Sequence, residues 1–155
     1  MPKPPPLLSR LELGTYLRYS QHGTSEVSRR SRDWRSAVKA AKPDWIGHAM
    51  DRLEESLEAT GLQRFLGPDV VLVPAPRSAP LREPSALWPG HAICQALVER
   101  GLGREVMPCL ARTEAVPKSA YALKGGRPTA EQHLETMKVE RVLLSPGPIT
   151  RSMTS

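Results

Sequence analysis

Val70, Val71, Leu72 and Val73 form an unbroken apolar run that follows a Gly67-Pro68 break and ends in Pro74-Ala75-Pro76-Arg77. A β-branched run bounded by turn residues is the pattern of a strand buried on both faces, which in soluble proteins means a parallel sheet covered by helices. This strand is therefore expected at the centre of a sheet. Leu87, Ile93, Leu97, Val98 and Leu102 suggest a helix closed by Gly101 or Gly103, so that strand, loop and helix make half of a βαβ unit. Val106 to Leu110 reads as the next strand, and Pro108, which has no N–H to donate, places it at an edge or at its own beginning. Thr113 to Lys138 is a long polar stretch containing Gly125-Gly126, and Arg141 to Leu144 reads as a final strand. Strands alternating with helices predict an α/β fold for residues 67–155: a parallel sheet with flanking helices.

Residues 1–66 predict a mainly helical extension. Val27, Trp34, Ala37, Val38 and Ala41 mark a basic amphipathic helix from about Thr24 that ends before Pro43, because the residue preceding a proline avoids the α region. Ile46, Ala49, Met50, Leu53 and Leu57 recur at three- and four-residue intervals, with Gly61 placed as the C-terminal stop. At 155 residues the chain has the length of one domain, so the two segments are expected to form one compact unit.

The formal charge of +6 admits phosphorylated or nucleic-acid partners, and its position narrows the choice. Residues 1–42 carry nine basic and three acidic residues, which accounts for the whole excess, and the remaining 113 are neutral overall. Within this region Arg29, Arg30, Arg32 and Arg35 surround Trp34, an aromatic interleaved with guanidinium groups that suits single-stranded nucleic acid. A helix face turned to water explains the same run and is the favoured reading, so nucleic acid is the weaker partner. Cys94 and Cys109 lack CxxC spacing, which reads as free buried thiols and gives no metal site. No apolar run reaches the roughly 20 residues needed to span a bilayer. The Pro-rich start Met1 to Leu8 lacks a signal peptide's apolar stretch, so a cytoplasmic protein without a membrane partner is expected.

The turn Val73-Pro74-Ala75-Pro76-Arg77 and the later segment Arg112-Thr113-Glu114-Ala115-Val116-Pro117-Lys118-Ser119-Ala120 resemble the type I phosphoribosyltransferases, in particular the competence-related ComF-like branch. The likeness covers Val70 to Lys138. It implies a protein that binds phosphoribosyl diphosphate, with Mg²⁺ bridging the pyrophosphate, and transfers the phosphoribosyl group to a nitrogenous acceptor. Such chemistry requires the leaving group's charge to be neutralised and water to be excluded.

On this resemblance Pro76, Arg77 and Arg82 belong to a pyrophosphate-binding loop, where oriented amides and guanidinium forks suit phosphate oxygens. The family's loop often holds a cis peptide, and Pro74 or Pro76 would lower its cost from about 3 kcal/mol to under about 1. Lys118 to His133 would form a lid hinged at Gly125 and Gly126, with Lys118, Arg127 and His133 reaching the pyrophosphate when closed. Lys118 and Arg127 also read as solvated loop charges, and His133 as the cap or start of a helical turn.

Thr150, Arg151, Ser152 and Thr154 would hold the 5′-phosphate. Where the family places two acids on the ribose hydroxyls, however, this chain has Pro146 and Gly147, neither with a side-chain acceptor. The helix that caps the family's phosphate loop would begin where the chain stops, at Ser155, and would be absent or come from another chain. A catalytically inactive member that binds a phosphorylated metabolite or another protein is the alternative these departures leave. The acceptor and the oligomeric state, homo-oligomers included, stay open at the level of sequence.

Overall fold

The computed structural model describes residue 20 and residues 22–117 and 128–141. Helix α1, Glu26–Lys39, begins at Ser25, whose hydroxyl accepts the Ser28 amide proton at 3.2 Å. Helix α2, Pro43–Thr60, starts with proline at its first position, where no N–H is needed, and ends at Gly61 in the left-handed conformation (φ 68°). Both helices and the Gly61 stop stand where the apolar spacing put them.

After a 3₁₀ turn, Leu62–Arg64, the chain forms β1, Val71–Leu72; α3, Pro89–Glu99; and β2, Glu105–Val106. Strands β1 and β2 are parallel, with Val71 opposite Glu105 and Leu72 opposite Val106. Amide-to-carbonyl bonds from Arg104 to Val70 (2.7 Å) and from Met107 to Leu72 (2.8 Å) extend the ladder. The α3 crossover completes a βαβ unit in which Gly103 packs closely against the strand: a Cβ there would lie 2.6 Å from Leu72 Cδ1, so Leu72 would have to shift. The core runs across α2, the 3₁₀ turn and α3 through Ile46, Met50, Leu53, Leu62 and Leu97, and Leu72, Ile93 and Leu102 pack against it. At its edge Arg100 binds Asp51 (2.8 Å) and Glu54 (2.6 Å) of α2. Trp34 of α1 meets Trp45 edge-on, with ring centroids 5.4 Å apart.

The fold is mixed α/β, and four expectations need correction. First, β1 is not buried on both faces: it is half-buried, pairs with β2 alone among the described residues, and is followed by Val73, 40% exposed. Pro74, fully buried and without an N–H, ends the ladder after two residues. Second, Val106 to Leu110 is not one strand. Pro108 divides it into β2 and β3, Leu110–Arg112, which lie in different sheets.

Third, the end of the polar stretch is ordered as α4, Ala130–Glu135, and β4, Met137–Val139. Helix α4 opens on a capping box in which Thr129 Oγ1 accepts the Gln132 amide proton (3.3 Å) and Gln132 Oε1 accepts the Thr129 amide proton (2.9 Å). Strand β4 is antiparallel to β3, with Leu110 opposite Val139 and Arg112 opposite Met137. Fourth, no cis peptide occurs among the described residues, so Pro74 and Pro76 both follow trans bonds. The expected strand Arg141 to Leu144 lies, except for Arg141, outside the described residues, as does the hinge pair Gly125 and Gly126.

Candidate functional site

The loop between β1 and α3 is anchored at several backbone oxygens. Trp88 Nε1–H donates to the Ala75 carbonyl at 2.9 Å, the Val116 amide donates to the Ser78 carbonyl at 2.7 Å, and Arg112 Nε–H donates to the Arg77 carbonyl at 3.2 Å. The loop is thereby held against the mouth of the β3–β4 hairpin. Between them opens a cleft of about 410 Å³ lined by Pro76, Arg77, Trp88, Arg112, Lys138 and Glu140, among others.

Arg112 lies at the base of this cleft. It is 9% exposed and its guanidinium meets neutral acceptors: the Arg77 carbonyl, the His133 carbonyl (3.4 Å), Thr136 Oγ1 (2.6 Å) and His133 Nδ1 (3.3 Å). Because a guanidinium cannot accept, His133 Nδ1 must do so, with the ring proton on Nε2. The Thr136 hydroxyl in turn donates a hydrogen bond to the Gln132 carbonyl (2.6 Å). No described carboxylate pairs with Arg112. A buried charge is costly unless an opposite charge compensates it, and an arginine cannot avoid the cost by losing its proton. Lys138, on the adjacent strand, pairs with Glu140 at 2.9 Å, whereas the exposed Arg77 forms no ion pair among the described residues. Three cations thus face one carboxylate already in use.

Of the residues expected at the site, Pro76 and Arg77 line the cleft, and His133 stands behind it as an acceptor for Arg112. His133 lies in the last turn of α4, so it is helical but neither caps nor begins the turn as expected. Arg82 is exposed and does not line the cleft. Lys118 and Arg127, with Pro146, Gly147, Thr150, Arg151, Ser152 and Thr154, fall outside the described residues. Sequence reasoning passed over Arg112, Lys138 and Glu140. No local signal marked Arg112, because the partners that bury it lie 21 to 35 residues along the chain.

The donor set also bears on magnesium. With Glu140 engaged by Lys138 and the other charged groups cationic, the described cleft residues do not fit a divalent cation, and they gather no metal-binding cluster elsewhere.

Several other charged and aromatic side chains have partners of their own. Trp34 is occupied by Trp45 and by His48 (centroids 6.1 Å apart), Arg30 pairs with Glu26 at 2.6 Å, and Arg32 donates to the Gly23 carbonyl at 3.0 Å. His91 lies tilted against Trp88, with ring centroids 5.4 Å apart. Cys94 and Cys109 are free and half-buried, and burial pushes the Cys94 thiol above its ordinary range. No helix among the described residues is long and apolar enough to cross a membrane. Set against protein-family models, curated proteins and solved structures, the chain matches none.

Proposed function

We propose that this chain binds a phosphorylated small molecule in the cleft between the β1–α3 loop and the β3–β4 hairpin. The observation that carries the reading is Arg112, a buried guanidinium with only neutral partners beside the cations Arg77 and Lys138. A phosphate or diphosphate supplies the missing negative charge beside Arg112, and the fork of Arg77, unpaired among the described residues, matches its oxygens in pairs. Arg77, exposed at the rim, makes the first contact, and Lys138 exchanges part of its pairing with Glu140 for the ligand.

Phosphoribosyl diphosphate is the ligand to try first. The strand, Pro-rich turn and arginine at Val73 to Arg77 support it, and so does the βαβ order of β1, α3 and β2, which is the arrangement a phosphoribosyltransferase-like fold would use. The activity this implies is phosphoribosyl transfer to a nitrogenous acceptor with release of pyrophosphate. A binder without catalysis is the second reading. The absence of a free carboxylate among the described cleft residues favours it, since a fold by itself guarantees no chemistry.

Calorimetric titration of the full chain with pyrophosphate, phosphoribosyl diphosphate and ribose 5-phosphate, each with and without Mg²⁺, tests the proposal. Binding that raises the melting temperature and is weakened by Arg77→Ala is the expected result. No binding of any of the three at millimolar concentration overturns it. Pyrophosphate release that requires an added acceptor separates the transferase from the binder.

A further inference from the structure

We infer that Arg112 is the positioning residue of this cleft, acting on the ligand chiefly through Arg77. The inference rests on the anion-site reading above and adds how that site is held together. Arg112 uses its planar fork across two structural units. Nε–H donates to the Arg77 carbonyl at 3.2 Å, in the loop after β1, while the Nη groups reach Thr136 Oγ1 (2.6 Å), the His133 carbonyl (3.4 Å) and His133 Nδ1 (3.3 Å) at the end of α4. Four of the guanidinium's five N–H groups are thus spent on the protein itself. A residue whose purpose was to touch a phosphate would keep its paired donors free.

The consequence falls on Arg77. Its side chain is exposed and unpaired among the described residues, so the direction in which it leaves the loop is set by its backbone. That backbone is fixed at its own carbonyl by Arg112 and at the next carbonyl, of Ser78, by the Val116 amide (2.7 Å). Loss of the fork frees the first anchor and leaves the second. Lysine at position 112 keeps the charge but, as a single point donor, cannot bridge the loop and α4 at once.

A double-mutant cycle on the full chain, with pyrophosphate binding read by calorimetry and folding by circular dichroism, separates positioning from charge. Arg77→Ala and Arg112→Lys are each expected to weaken pyrophosphate about tenfold, a loss of the size made by one charge-assisted hydrogen bond. The double variant is expected to bind no more weakly than Arg77→Ala alone. Wild-type affinity in Arg112→Lys, or losses that multiply to about a hundredfold as independent sites would give, overturns the inference while leaving the anion site standing.

Should Arg112→Lys not fold, Thr136→Val gives the decision, because it removes one anchor of the fork and keeps the guanidinium. It is expected to weaken pyrophosphate about threefold, in the range of one neutral hydrogen bond, and only when Arg77 is present. Unchanged affinity in that variant overturns the inference. A wild-type chain that binds no pyrophosphate overturns this inference and the anion-site reading together.

Discussion

Two regions of this molecule are held together by different physics. Helices α2 and α3 close over Ile46, Met50, Leu53 and Leu97, and their one prominent polar link, Arg100 to Asp51 and Glu54, lies at the edge. Around the cleft the order is reversed. Leu134 and Val139 stand 62% and 77% exposed on α4 and β4, while the buried position goes to Arg112, held by four neutral oxygen and nitrogen acceptors. One region is stabilised by non-directional burial that tolerates approximate geometry. The other depends on directional bonds, each of which costs its partner dearly when lost. If the cleft is the anion site proposed above, Leu and Ile could not build it, and a polar scaffold is what such a ligand would require.

The comparison breaks most visibly at Leu53. Leu53→Ala is expected to cost about 2–5 kcal/mol, and in a chain of this size each kcal/mol lowers the melting temperature by about 2–4 °C. Pyrophosphate affinity of the remaining folded protein, measured well below that temperature, should not change. If affinity falls together with stability, the two regions are one cooperative unit and the contrast is false.

The same contrast explains what could be read from the amino-acid sequence. Helices α1 and α2 and the Gly61 stop were legible because apolar spacing and a left-handed cap are local signals. Strand β1 was found, but it is half-buried where burial on both faces was expected. An apolar run reports burial, and whether both neighbouring positions in a sheet are filled is decided by the rest of the chain. Helix α4 and strand β4 carry almost no apolar periodicity, and their one local mark, Thr129 with Gln132 three residues on, was a readable capping box that went unread. Two of the loop's three nominated residues, Pro76 and Arg77, reached the cleft, and Arg82 did not. Arg112 did not declare itself, because its importance lies in meeting Arg77, His133 and Thr136, 35, 21 and 24 residues away.

Thr129→Ala probes the polar region at that capping box. It removes the acceptor for the Gln132 amide and is expected to cost about 1 kcal/mol. The effect on stability is smaller than that of Leu53→Ala, but its location makes it informative. α4 supplies the His133 and Thr136 acceptors of Arg112, so fraying of its first turn should loosen the cleft and weaken pyrophosphate, with α2 and α3 keeping their hydrogen-exchange protection. Equal loss of protection in α2 would mean that the cleft scaffold carries the core, contrary to the division drawn here.

The smallest effect is expected from Glu131, at the start of the same helix. Hydrogen bonds from its own backbone N–H and from the Thr129 side chain hold its carboxyl below the usual glutamate range. A carboxyl depressed in the folded state contributes stability above its unfolded pKa, and that contribution fades as pH falls through the folded value. Melting curves taken from neutral pH into the acid range should therefore show a slight extra loss in the wild-type chain that Glu131→Gln abolishes. Since Glu131 is fully exposed, added salt should shrink the difference further. An acid loss that persists unchanged in Glu131→Gln would show that Glu131 is not the pH-sensitive group and that the first turn of α4 does not set the polar region's response to acid.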